Sequence, residues 1–194
     1  MKSYLQLESY AVMISVTSCY IHIPFCKKIC SYCDFCKLFY DTGYVSKYLD
    51  ALQLEIEKYY QGEELNTLYI GGGTPSSLSI SELENLFSIL SVFKRSSSCE
   101  FTIEANFDSI TEEKIDLFQK YGVNRISFGL ESMHFWILEK MGRTLDLDYV
   151  RHIISYCKKI GICNINVDLM YAFPRETLKE LEEDIDFILS LDVS

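Results

Sequence analysis

Apolar residues recur along this chain in two alternating rhythms. Residues 20–24 alternate like a strand. Between Tyr44 and Tyr60, Val45, Tyr48, Leu49, Leu52, Ile56 and Tyr59 fall at spacings of three and four, which predicts one helical face. The apolar run 67–70 predicts a short strand that leads into Gly71-Gly72-Gly73-Thr74-Pro75. Ser79 to Phe93 predicts the next helix. Ser79 and Glu82 form a capping box at its start, and Leu83, Leu86, Phe87 and Leu90 form its buried stripe.

The same alternation then repeats. Residues 100–105 read as a strand, Ser109 and Glu112 as a capping box, and Ile115, Phe118 and Tyr121 as a helix ending at Gly122. Residues 125–130 predict a strand and 133–141 a short helix. A further helix capped by Asp146 or Asp148 turns Val150, Ile153, Ile154, Cys157 and Ile160 inward and ends at Gly161. A strand over 164–170 and a helix capped by Thr177 and Glu180, running to Leu189, complete the pattern. Strands alternating with helices predict an α/β fold with a parallel sheet and right-handed crossovers. In such folds chemistry collects at the carboxyl ends of the strands. All three prolines (24, 75 and 174) lie in the loops that follow strands.

Composition narrows the class. The chain has 194 residues, 48% of them hydrophobic, enough for one domain with a real core. No run of 18 apolar residues offers a membrane span. Only Lys2 precedes a mixed amino-terminal segment, which argues against a signal peptide and for the cytoplasm. Residues 1–18 read as an extension, and 19–194 as the domain. The net charge is −10, with no basic cluster beyond Lys27-Lys28 and Lys158-Lys159, which argues against nucleic acid as a partner.

In that compartment, eight cysteines need a reading other than disulfides. Cys99, Cys157 and Cys163 stand alone in apolar surroundings and read as small core residues. Cys26, Cys30 and Cys33 form C-x3-C-x2-C directly after the first strand. Three thiolates can hold a cube of four irons and leave one iron open, or can join Cys36 or Cys19 around a structural zinc. Gly71-Gly72-Gly73-Thr74-Pro75 is either a tight turn or a ligand loop whose amides face an anion. Glu104, Glu131, Arg143 and Asp168 are charged residues in or beside strands. Each alone reads as a strand-end charge. Together they suit a polar ligand. His22, His134 and His152 read as hydrogen-bonded residues, with heme ligation as the alternative.

The run Tyr20-Ile-His-Ile-Pro-Phe-Cys26 with Cys30-Ser-Tyr-Cys33-Asp-Phe resembles the radical S-adenosylmethionine (SAM) superfamily. It is similar to the branch that holds oxygen-independent coproporphyrinogen III oxidase (HemN) and the heme chaperone HemW. The resemblance implies a partial (β/α) barrel of which about five βα units are present and a carboxyl-terminal part is missing. It implies a 4Fe–4S cluster on Cys26, Cys30 and Cys33, with SAM on the open iron. It places Tyr20, Tyr32, Gly72, Gly73, Thr74, Glu104, Glu131, Arg143 and Asp168 at the site of SAM, a zwitterion whose carboxylate Arg143 would hold as a fork. No catalytic residue is assigned.

The matches have gaps. The position of Glu131 usually holds glutamine, Phe107 stands where the family has proline, and Tyr171-Ala-Phe-Pro-Arg-Glu-Thr177 lacks two of the family's glycines. If those glycines needed positive φ, the loop must be remodelled. Cys33-Asp-Phe-Cys36 lacks the C-x-C of the decarboxylating oxidases and resembles the chaperone branch. The resemblance therefore implies a HemW-like protein that binds heme and passes it to an acceptor protein. The alternative is a coproporphyrinogen III dehydrogenase that decarboxylates propionates through a 5′-deoxyadenosyl radical. Either would take a tetrapyrrole and draw electrons from a donor such as flavodoxin or ferredoxin.

Overall fold

The structure is a computed structural model, and it describes residues 16–193. Five parallel strands form one sheet: β1 (Ser18–Ile23), β4 (Glu64–Gly72), β5 (Lys94–Asn106), β6 (Arg125–Glu131) and β7 (Asn164–Leu169). Their order across the sheet is their order in the chain. A sheet wound in one direction carries its crossover helices on one face and curls toward the other, so this is a partial (β/α) barrel. The helices are α1 (Thr42–Tyr59), α2 (Ile80–Leu90), α3 (Glu112–Lys120), α4 (Phe135–Met141), α5 (Leu147–Lys159) and α6 (Leu178–Ser190). The two-residue strands β2 (Phe25–Cys26) and β3 (Leu38–Phe39) pair with each other at the two ends of the cysteine loop.

Strand alternation sorts the side chains into two layers. Ile21, Ile23, Leu68, Ile70, Phe101, Ile103, Ile126, Phe128 and Ile165 join one apolar cluster with the buried faces of α1, α2, α3 and α5 and with Phe187 of α6. The residues between them, among them Tyr20, Tyr69, Glu104, Ser127, Asn166 and Asp168, take the opposite face. Register pairs Tyr20 with Tyr69, Glu104 with Ser127, and Ser127 with Asn166. The outside of the half-barrel is therefore the packed core, and its concave side is polar.

Local signals account for the helix ends. Ser79–Glu82 and Thr177–Glu180 are complete capping boxes, and Asp146 caps α5. Ser109 does not cap α3. Thr111 takes that position, while Ser109 bonds Ser76 Oγ at 2.7 Å and donates to the Asn106 carbonyl. Tyr59, expected on the buried face of α1, is exposed because the helix ends there. Cys99 and Cys157 are core residues as expected, but Cys163 is exposed at the start of β7. Of the expected extension 1–18, residues 1–15 lie outside the described residues, and Ser18 opens β1. Among the described residues, no helix is long and apolar enough to cross a membrane.

Candidate functional site

The carboxyl ends of the five strands surround a cavity of about 210 Å³. Its wall contains every candidate residue: Cys26, Cys30 and Cys33; Tyr20 and Tyr32; Gly72, Gly73 and Thr74; Glu104, Glu131, Arg143 and Asp168. Separations of up to 148 positions in the sequence are closed by the sheet, because each strand delivers its last residues to the same rim.

The cysteine loop is pinned at both ends and at its tip. Leu38 N–H donates to the Pro24 carbonyl at 2.7 Å, and Tyr40 N–H to the Cys26 carbonyl at 2.9 Å. At the tip, Ser31 donates through N–H to Met141 O and through Oγ to Lys140 O, using carbonyls left free at the end of α4. His22 fixes the far end. Its Nε2–H donates to the Cys36 carbonyl at 2.8 Å, so its Nδ1 accepts from the Tyr20 hydroxyl at 2.9 Å. His134 donates to the Glu180 carbonyl and His152 bonds Glu112, so all three histidines have partners within the fold. The Cys36 thiol is exposed and lies off the cavity wall.

The glycine loop seats the cysteine loop. A Cβ on Gly73 would stand 2.8 Å from the Pro24 carbonyl and 2.9 Å from Cys26 Sγ. Gly72 has φ 123°, and a Cβ there would strike the His22 ring. The amides expected to face an anion are already bonded. Gly72 N–H donates to Glu104 Oε2 at 3.0 Å, Gly73 N–H to Ile23 O at 2.8 Å, and Thr74 N–H to Phe25 O at 3.1 Å. Glu104 also accepts from the Tyr69 hydroxyl at 2.7 Å. Burial, and then that bond, push the Tyr69 phenol well above its ordinary range.

On the opposite wall, Glu131 has φ 70° at a register shift in β6 and is buried. Burial raises its pKa, and Arg143 opposes the rise. Arg143 is only 4% exposed. Its Nη1 donates to Glu131 Oε1 at 2.7 Å and its Nη2 to the Gly129 carbonyl at 2.9 Å. The fork expected to hold a ligand carboxylate is thus spent on Glu131 and the strand. Gly142, at φ 74°, ends α4 and turns Arg143 toward the cavity. Burial, followed by the charge of Glu131, drives the Tyr32 phenol pKa far up. Asp168 accepts from Asn166 Nδ2 at 2.7 Å.

In the loop that lacks the two glycines, two other residues have positive φ. Ala172 has φ 68° and Arg175 φ 80°. Both hold a left-handed conformation without glycine.

Sequence reasoning missed Lys28, Phe35, Lys37, Asn106, Ser127 and Gly129, which also line the cavity. Strand alternation could have found Asn106, two beyond Glu104 on β5, and Ser127 and Gly129, which stand two apart on the inward face of β6. No local pattern announces the loop residues.

The donor set fits an iron–sulfur cluster. Three thiols reach one polar wall, the Cys26 sulfur fills the space that Gly73 leaves, and a Thr74 hydroxyl faces that sulfur at 3.8 Å. Burial raises the pKa of Cys26 and Cys30, and the bond from Thr74 and the charge of Arg143, respectively, oppose it. Among the described residues, no three His, Cys, Asp or Glu side chains converge closely enough for a single metal ion. A cubane asks less, because each thiolate binds a different iron.

Comparison with known proteins gives the chain's relatives. Heme chaperone HemW of Bacillus subtilis (strain 168) is 45% identical over 181 residues, which cover 90% of this chain and 48% of the relative. Oxygen-independent coproporphyrinogen III oxidase of Escherichia coli (strain K12) is 30% identical over 165 residues, covering 82% of this chain and 36% of the relative. The solved structure of coproporphyrinogen III oxidase (HemN) from Escherichia coli, a radical SAM enzyme, superposes with a TM-score of 0.85 at 27% identity. That match covers 91% of this chain and 42% of the other. The chain thus spans about half the length of the HemW relative. The description of the Radical SAM superfamily, which implies a 4Fe–4S cluster and SAM, matches residues 20–188, and the chain belongs to that superfamily.

Proposed function

We propose that Cys26, Cys30 and Cys33 hold a 4Fe–4S cluster, that SAM occupies the adjoining cavity, and that the chain is the radical SAM part of a HemW-like heme chaperone. The observation that carries the reading is the gathering of all three cysteines and all nine SAM-site candidates on one cavity wall. When bound, the cluster and SAM together supply one-electron chemistry. The remaining steps belong to the chain's own side chains. Gly73 leaves room for the Cys26 sulfur. Glu104 and Asp168 offer carboxylate oxygens to the hydroxyls and ammonium of SAM, and Tyr20 and Tyr32 flank the space between. Arg143 balances Glu131, so a buried carboxylate can stay ionised beside a cationic ligand.

The chaperone reading draws on Cys33-Asp-Phe-Cys36 and on the 45% identity to HemW. Heme would then be the cargo, an acceptor protein its destination, and the cytoplasm the compartment. The second reading, a coproporphyrinogen III dehydrogenase, draws on the likeness to the Escherichia coli oxidase. A one-electron donor such as flavodoxin or ferredoxin would serve either. Structural zinc is the third and weakest reading.

The deciding experiment is anaerobic reconstitution with iron and sulfide, reduction, and electron paramagnetic resonance (EPR) with and without SAM. A 4Fe–4S signal that changes on adding SAM is the expected result. Zinc bound in place of a cluster would overturn the reading. Stable heme binding without turnover would then separate the chaperone from SAM-dependent decarboxylation of coproporphyrinogen III.

A further inference from the structure

Thr74 sits at the seam between the glycine loop and the cysteine loop and is only 6% exposed. Its hydroxyl has one hydrogen to give. Asn106 Nδ2 donates into Thr74 Oγ1 at 3.0 Å, which leaves that hydrogen free to point the other way. In that direction Cys26 Sγ lies 3.8 Å from the oxygen. The backbone on both sides of the hydroxyl is fixed, with Thr74 N–H on Phe25 O and Thr74 O accepting from Ser77 N–H at 2.8 Å. Asn106 is fixed as well, since its N–H donates to Ser76 Oγ at 3.0 Å. Below it the Lys114 ammonium donates to the carbonyls of Ser76 and Ser109 at 2.6 and 2.7 Å, tying together the loops that carry Thr74 and Asn106.

We propose that Thr74, oriented by Asn106, donates its hydroxyl hydrogen to the Cys26 sulfur and thereby raises the reduction potential of the cluster held there. The proposal rests on the reading of Cys26 as a cluster ligand. Reduction adds one electron, taken from an external one-electron reductant, and so increases the negative charge shared by the ligand sulfurs. A hydrogen bond to a sulfur stabilises the reduced form more than the oxidised one. No bond to the protein forms or breaks, and the hydroxyl proton stays on Thr74. Thr74 is a positioning and tuning residue here, because its hydroxyl hydrogen points to Cys26 and one of its lone pairs accepts from Asn106.

The test is a dithionite-mediated redox titration of the reconstituted chain, followed by EPR, for wild type, Thr74→Ser, Thr74→Val and Asn106→Ala. Thr74→Val keeps the shape and removes the hydrogen. Its reduction equilibrium constant should fall about tenfold, or about 59 mV for one electron. Thr74→Ser should stay at the wild-type potential. Asn106→Ala frees the hydroxyl to rotate and should give a smaller fall. The double variant Thr74→Val/Asn106→Ala should fall no further than Thr74→Val alone, because both changes remove the same bond. An unchanged potential in Thr74→Val, or an additive double variant, overturns the proposal. If Thr74→Val does not hold the cluster, an unchanged potential in Asn106→Ala overturns it instead. A wild-type chain that forms no cluster overturns the functional reading itself, a separate result visible before any titration.

Discussion

A single glycine decides whether the cysteine loop can close. Gly73 has backbone on one side and sulfur on the other, so a methyl group there has no flexible neighbour to displace. Gly73→Ala should therefore lower the iron and sulfide retained per chain several-fold on reconstitution. Gly43→Ala, whose added carbon meets only the Asp41 side chain at 3.2 Å, should retain the wild-type content. Ala172 and Arg175 pose the opposite case. Each holds a left-handed φ that costs an L-residue about 1–2 kcal/mol. Ala172→Gly and Arg175→Gly should each raise stability by about 1 kcal/mol in urea unfolding, since the glycine's extra unfolded-state freedom offsets part of the gain. The sequence showed that glycines were missing from this loop. It could not show that Ala172 and Arg175 would take a left-handed φ, because residues with a Cβ rarely do so. The Arg143–Glu131 pair was equally hidden. Both residues were legible as site candidates, but the geometry that turns them toward each other depends on the shift in β6 and the left-handed turn at Gly142.

Elements were legible where the chain carries its own signals. Both capping boxes, the buried stripes of α2 and α5 and the apolar halves of β4 and β5 follow from local pattern. The amino-terminal half of β5 does not, since Lys94-Arg-Ser-Ser-Ser98 is polar. It is a strand because Lys94 and Arg95 pair with Glu64 and Leu65 of β4. Ser109 likewise lost its expected cap because Ser76 and Asn106 claim its hydroxyl. Lys114 of α3 joins these loops at an electrostatic cost. Burial, followed by the charge of Lys27, pushes its pKa down from 10.5 to about 8. Between those values the folded chain binds fewer protons at this site than the unfolded chain. Its contribution to stability therefore rises with pH across that window. Cysteine and tyrosine ionisation act in the same range, so the measurement is a difference. The unfolding free energy of wild type minus that of Lys114→Met should climb between pH 8 and pH 10. A flat difference would mean that the lysine stays charged at no cost.

At the scale of the molecule, five strands in chain order leave a half-barrel whose convex face carries the core and whose concave face carries the candidate site. A ligand that binds only the folded state stabilises it by mass action. SAM at about a hundred times its dissociation constant should add about 2.7 kcal/mol to the reconstituted chain, read as a rise in melting temperature. The Cys26→Ser, Cys30→Ser and Cys33→Ser variants should lose most of that rise if SAM needs the open iron. The concave face also sets the heat signature of binding. Tyr20, Tyr69, Glu104, Ser127, Asn166 and Asp168 line it with hydroxyl, amide and carboxylate groups already bonded within the protein, whereas the apolar residues between them lie in the core. A guest entering this trough meets the rings of Tyr20, Tyr32 and Phe35 as well as the carboxylates of Glu104 and Asp168. Calorimetry of SAM binding should therefore give a favourable enthalpy together with a clear negative heat-capacity change, the mark of a site that offers charge partners and ring surface at once.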